Sequence, residues 1–190
     1  MIIGAVILVV ILILAFWFIG IYNGLIRLKK RVQNAWAQID VQLKRRHDLI
    51  PNLVNAVKGY MKFERETLEK VMEARARAIS AQGVGDKIKA ERELGGFLGR
   101  LLAIVENYPE LKANENVKQL MEELTTTENK ISYARQFYND TVTRFNTKIE
   151  IFPDNIVANM YSSKFQSFPL FEIEDKAERE VPKVDLNLEG

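Results

Sequence analysis

The sequence predicts an all-α protein, an N-terminal transmembrane helix followed by an elongated antiparallel four-helix bundle. Three observations carry that prediction. Residues 2–21, IIGAVILVVILILAFWFIGI, contain no charge. Apolar residues then recur at helical spacing from Leu25 to Ile149. Glycines and prolines punctuate that recurrence at a few places, and no strand alternation precedes the last residues.

The uncharged run is long enough to be an anchor. Twenty helical residues at about 1.5 Å each span a hydrocarbon core of roughly 30 Å. Trp17 and Tyr22 stand near its end, where amphipathic rings favour the headgroup zone. A cleaved signal peptide fits less well: there is no basic n-region, and the apolar run exceeds the usual length of about 7–15 residues. Residues 1–26 are therefore assigned to the anchor. Arg27, Lys29, Lys30 and Arg31 follow as a membrane-proximal basic collar. The positive-inside rule then predicts a single pass through the cell membrane, with the N-terminus outside and the bundle cytoplasmic.

Residues 27–152 are assigned to the bundle. The first soluble helix carries Leu28, Val32, Ala35, Ile39 and Leu43 without Gly or Pro, so the anchor runs into it. Pro51 disfavours helical angles at Ile50 and suits the first turn of a new helix, which favours a chain reversal at 47–51 over the alternative, a kinked continuous helix. A second helix follows from Leu53 to Ala78 and stops at Gly83-Val84-Gly85. Asp86 is expected to cap the third, which ends near Pro109. Asn116 and Gln119 resemble a capping box opening a fourth helix of about 33 residues, closed by Pro153. Residues 153–190 form a short helix and an acidic tail. Phe165, Phe168 and Phe171 are expected to dock, because aromatics at that density are rarely left solvated. The ending VPKVDLNLEG alternates at Val184, Leu186 and Leu188 but is too short and terminal to count as a strand.

Charge and composition remove several functions. The 190 residues carry a net charge of only +2, which gives no case for nucleic acid. The distribution is uneven: seven basic residues against Asp40 alone between Arg27 and Arg46, and seven acids against three bases from Leu170 to Gly190. Cysteine is absent, which excludes disulfides, thiolate metal sites and cysteine nucleophiles.

The run AW-x-QIDVQLKRRHDLIPNLV-x-x-VKGY, from Ala35 to Tyr60, resembles the signature of the LemA family. TLEKVMEARA from Thr67, VENYPELKAN from Val105, ARQFYND and RFNTKIEIFPDN between Ala134 and Asn155, and the terminal LFEIEDKAEREVPKVDL agree with it. The resemblance implies a bacterial-type membrane protein built on a helical bundle. It implies no reaction.

His47 is the only histidine, too few for the paired Glu-x-x-His motifs of a bundle di-iron site, and zinc would need three or four ligands. His47 is expected to close the reversal against a backbone carbonyl. Asp40, Lys44, Arg45, Arg46, His47 and Asp48 form a charged cluster that is expected to contact a partner or pack at the far end of the bundle. Arg75, Arg135, Asn139 and Asn146 lie on or beside apolar stripes and are expected in interhelical hydrogen bonds. Gly95, Gly96 and Gly99 are expected to admit a close neighbour. Among Glu64, Glu69, Glu73, Glu106 and Glu128, no pair is compelled by spacing to share a dry pocket.

No catalytic, cofactor or metal residue is assigned. The expectation is a non-enzymatic scaffold whose partners are the lipid bilayer, other proteins and further copies of itself. The alternatives are an enzyme using bundle carboxylates and a lipid-binding protein acting through the basic collar.

Overall fold

The computed structural model describes residues 2–61 and 64–171, and every regular element among them is a helix. Helix α1 (Ile2–Val57) is one unbroken element of 56 residues, about 84 Å long. It is followed by α2 (Arg65–Ser80), α3 (Val84–Val105), a single turn α4 (Pro109–Lys112), the 36-residue α5 (Glu115–Glu150) and α6 (Asp154–Met160). α1 and α5 run antiparallel along the length of the molecule. α2 descends and α3 ascends as a hairpin beside the distal half of α1. α6 and residues 161–171 cover the membrane-proximal half.

The first 18-residue window of α1 has a mean hydropathy of 3.3 and none of it is buried inside the protein, as a membrane span requires. Tyr22 does more than face headgroups. Its ring packs edge-on against Tyr161 at 5.2 Å and Phe165 at 5.8 Å, and its hydroxyl accepts from Lys164 Nζ at 2.5 Å.

The expected reversal at Pro51 does not occur. Pro51 lies inside α1, and the chain turns only after Val57. Proline removes the N–H that would bond the carbonyl four residues earlier, here that of His47. Arg75 of α2 supplies the replacement: its Nε donates to His47 O at 2.7 Å. A tertiary contact thus satisfies the carbonyl that proline leaves orphaned, and the helix continues. The second predicted helix correspondingly loses residues 53–57 to α1 and begins at Arg65.

Other boundaries shift for equally local reasons. The cap of α5 is Asn114, whose Oδ1 accepts from the backbone N–H groups of Asn116 and Val117, so Asn116 lies within the helix. Gly83 precedes α3 with φ at 79°, a left-handed conformation that glycine adopts freely. A Cβ on Gly95 would meet Arg46 Nη1 at an ordinary 3.9 Å, and on Gly96 or Gly99 it would meet nothing within 4 Å. The α3 glycines therefore do not mark a close helix approach.

The buried residues fall into two apolar cores. The distal core joins Leu53 and Val57 of α1, Leu68 and Val71 of α2, Leu98 and Leu101 of α3, and Leu124 of α5. The proximal core joins Leu25, Val32 and Ile39 of α1 with Tyr138, Val142 and Phe145 of α5, closed by Val157, Phe165 and Phe171.

Residues 165–171 dock as the aromatic count predicts, held by two asparagines of α5. Asn146 exchanges both hydrogen bonds with the backbone of Phe168, at 2.9 and 3.0 Å, and Asn139 does the same with Phe171, at 3.0 and 2.8 Å. Seven helical residues span about 10.5 Å and three extended ones about 10 Å, so the two ladders stay in register. These asparagines bind the tail and not another helix, unlike the interhelical contact expected of them. Tyr138 donates to Pro169 O at 2.9 Å, and burial pushes its pKa up to about 12. The alternating segment near Val184 lies outside the described residues.

One test follows from Pro51. In urea titrations, Arg75→Met is expected to cost about 1.5–3 kcal/mol, since it strips a charged donor from a part-buried carbonyl. In a Pro51→Ala background position 51 regains its N–H, and the same substitution should cost less than half as much. Equal costs in both backgrounds would refute the link.

Candidate functional site

The six residues of the charged cluster lie within about two and a half turns of α1, and the structure separates them by environment. Lys44 and Asp48 bridge one turn at 2.9 Å on the outer surface, and the Lys44 hydrogen bond holds the Asp48 carboxyl below its ordinary range. Arg45 reaches Glu123 of α5 at 3.5 Å and stays about half exposed. Asp40 accepts from Lys87 of α3 at 3.0 Å. His47 and Arg46 point inward.

Arg46 is 0% exposed and is the centre of a buried ionic layer. Its Nη2 meets the Glu91 carboxylate and also donates to Glu91 O at 3.3 Å, while Nη1 donates to Glu128 at 2.8 Å. His47 Nε2 lies 2.8 Å from the other Glu91 oxygen, a close contact outside hydrogen-bond alignment. His47 therefore faces a carboxylate. The carbonyl in this region is its own, and Arg75 takes it.

This layer lies where the two apolar cores meet. On α1 it falls between Leu43 and Leu49, on α3 between Ile88 and Leu94, and on α5 between Leu124 and Ile131. Glu91 is 1% exposed. Burial opposes its charge, but the His47 and Arg46 contacts outweigh that cost and set its pKa below the ordinary 4.5. Arg135, next along α5, extends the layer. Burial and then repulsion from Arg46 lower its pKa from the usual arginine value, and its guanidinium stacks 4.2 Å over the Phe171 ring.

A cleft of about 440 Å³ opens onto the layer between α1, the end of α2 and α3. Asp40, Lys44, His47, Lys87 and Glu91 line it. The His47–Glu91 contact resembles the imidazole–carboxylate pair of a general base, yet no Ser, Thr or Cys lines the cleft as a nucleophile. Among the described residues, no three His, Asp or Glu side chains converge as metal ligands. The cations and carboxylates of the layer are occupied with one another.

Glu91 is the residue the sequence reading passed over. Its signal lies in spacing: it stands on the stripe Ile88, Leu94, Leu98, where a carboxylate belongs only if a cation meets it inside. Of the collar, Lys29 donates to Lys164 O at 2.7 Å, while Arg27, Lys30 and Arg31 remain exposed.

Two outcomes test the layer. Arg46→Met leaves Glu91 buried without its cation and is expected to cost about 3–5 kcal/mol in urea unfolding. Because the folded pKa of Glu91 is depressed, its stabilisation is present above about pH 4.5 and lost as pH falls through the folded value. The urea midpoint should therefore fall on acidification below about pH 4.5, and Glu91→Gln should flatten that part of the profile.

The chain resembles proteins of known name. The LemA protein of Metamycoplasma hominis is 28% identical over 173 residues, covering 90% of this chain and 76% of that protein. Magnetosome protein MamQ 2 of Paramagnetospirillum magneticum is 25% identical over 163 residues, and MamQ of Magnetospirillum gryphiswaldense 24% over the same number. The chain spans only 60% of the length of these two MamQ proteins. The LemA family pattern itself matches residues 35–186, four-fifths of the sequence, so this chain belongs to the LemA family.

Proposed function

We propose that this LemA-type protein is a non-enzymatic scaffold of the cell membrane, with its N-terminus outside and its helical body in the cytoplasm. One observation carries the reading: α1 is continuous from the apolar span into the distal core. A helix fixed at both ends by burial transmits position rather than flexing, so the body stands at a set height and angle above the bilayer. Lys44 lies 17 helical residues beyond Arg27, about 26 Å along the axis. That exceeds a Debye length of about 8 Å, so this charged face addresses other proteins and not lipid headgroups. The basic collar supports the orientation. The names of the relatives, LemA and magnetosome protein MamQ, specify no reaction, which agrees with the reading.

The exposed Lys44, Arg45 and Asp48 are the contact candidates. Arg46 serves the same surface by holding the layer beneath it, so replacing Arg46 would test folding instead of contact.

The test is capture of tagged protein from native membranes in polymer-bounded nanodiscs, with sizing and mass spectrometry. A Lys44→Glu/Arg45→Glu variant of unchanged thermal midpoint runs alongside. A stoichiometric partner or homo-oligomer, reduced at least tenfold in the variant, is expected. A lone monomer in both samples would overturn the scaffold.

A further inference from the structure

The pair α1–α5 has two grooves in its proximal half, and among the described residues only one is filled. At 100° per residue, Trp36 on α1 and Arg135, Asn139 and Asn146 on α5 mark the groove that holds residues 165–171. On the opposite faces, Gln38 and Val41 of α1 oppose Phe137 of α5 across an open groove. It consists of two adjoining hollows of about 430 and 310 Å³ that share Gln38 and Phe137.

Three features say what this groove takes. Its wall leaves large apolar groups in solvent, with Tyr133 75%, Val41 63% and Phe137 52% exposed. Asn34, Gln38 and Gln42 place carboxamides at four-residue spacing along α1, about 12 Å overall, the length of roughly four extended residues. The filled groove shows how this helix pair holds a chain: carboxamides read the backbone while aromatic rings bury beside it. Arg31, Lys130 and Arg144 rim the open groove, and no acidic residue lines it. The occupant is therefore an extended segment bearing apolar side chains on one side and acidic ones on the other.

This chain carries one such segment. Residues 183–189, KVDLNLE, alternate Val184, Leu186 and Leu188 with Asp185, Asn187 and Glu189. We propose that the open groove receives residues 183–189 of a second copy, laid in as an extended strand against the carboxamides of α1. The second copy is favoured over the same chain by geometry. Phe171, the last described residue, packs on the face opposite the groove, and a membrane span in each copy would hold neighbours at one height. A neighbour thus receives the segment without either chain doubling back. Donor and acceptor on opposite faces make a head-to-tail contact, which propagates as a row in the membrane. The inference rests on the scaffold reading and names one of its partners as the protein itself.

The cysteine-free chain permits a direct test. Full-length Gln38→Cys and Leu186→Cys proteins are mixed in equal amounts in lipid vesicles and oxidised. A mixed disulfide dimer is expected, and the double variant should give a ladder of dimers and trimers. Adding Phe137→Ala and Lys130→Glu to the acceptor should cut the yield at least fivefold, and raised salt should cut it further. A double variant that closes only on itself would overturn the proposal in favour of the same chain's tail. Absence of any bond would overturn it outright, as would equal yield from Ser132→Cys, which lies toward the tail-binding face. Such a failure, with a variant-sensitive partner still captured from native membranes, would remove the neighbour contact and leave the scaffold standing.

Discussion

The buried Arg46–Glu91 pair is the constraint on which the rest of the bundle depends. Each of α1, α3 and α5 passes from one apolar core to the other at this layer, through Arg46, Glu91 and Glu128. Apolar contacts tolerate sliding, because one leucine fits against many others. A guanidinium with no access to water tolerates none, because any axial slip would strand a charge in an apolar core. The pair therefore sets the heights of the three helices relative to one another. His47, Arg135 and Phe171 attach the surroundings to it.

The second constraint is the length of α1. Its proline lies at the one place where α2 brings an arginine to the freed carbonyl, and Arg75 and the ionic layer sit within a turn of each other. The same few residues keep the helix whole and fix what packs against it. The continuity of membrane span and bundle is thus a product of tertiary contacts. The scaffold reading rests on that continuity.

The proximal half works by a different principle. Only two long helices run there, and α6 with the Phe-rich segment supplies the third side. Two asparagines bind peptide groups without regard to the side chains they carry, while Phe165, Phe168 and Phe171 supply the buried area. The opposite groove repeats the carboxamides and the aromatic rings, with no occupant among the described residues.

Much of this was legible in residue order. An uncharged run of twenty residues can only be satisfied by lipid or by burial, and a helical period of apolar residues declares one buried face wherever it occurs. These are local quantities, so the long apolar N-terminal helix, the helical class and the docking of the aromatic tail were all readable. Partnership was not. Pro51 is a helix breaker in every local sense, and only an arginine 24 residues later makes it harmless. His47 was read against a carbonyl because its carboxylate lies 44 residues away on α3. The cluster from Asp40 to Asp48 reads as one charged patch, yet the helix period turns Arg46 into the core and Lys44 into solvent. Sequence determined which segments are helices and which faces they bury. Which buried charge meets which, and hence whether a break becomes a turn or a rod, was decided by tertiary structure alone, because pairing energy depends on distances that chain order does not contain.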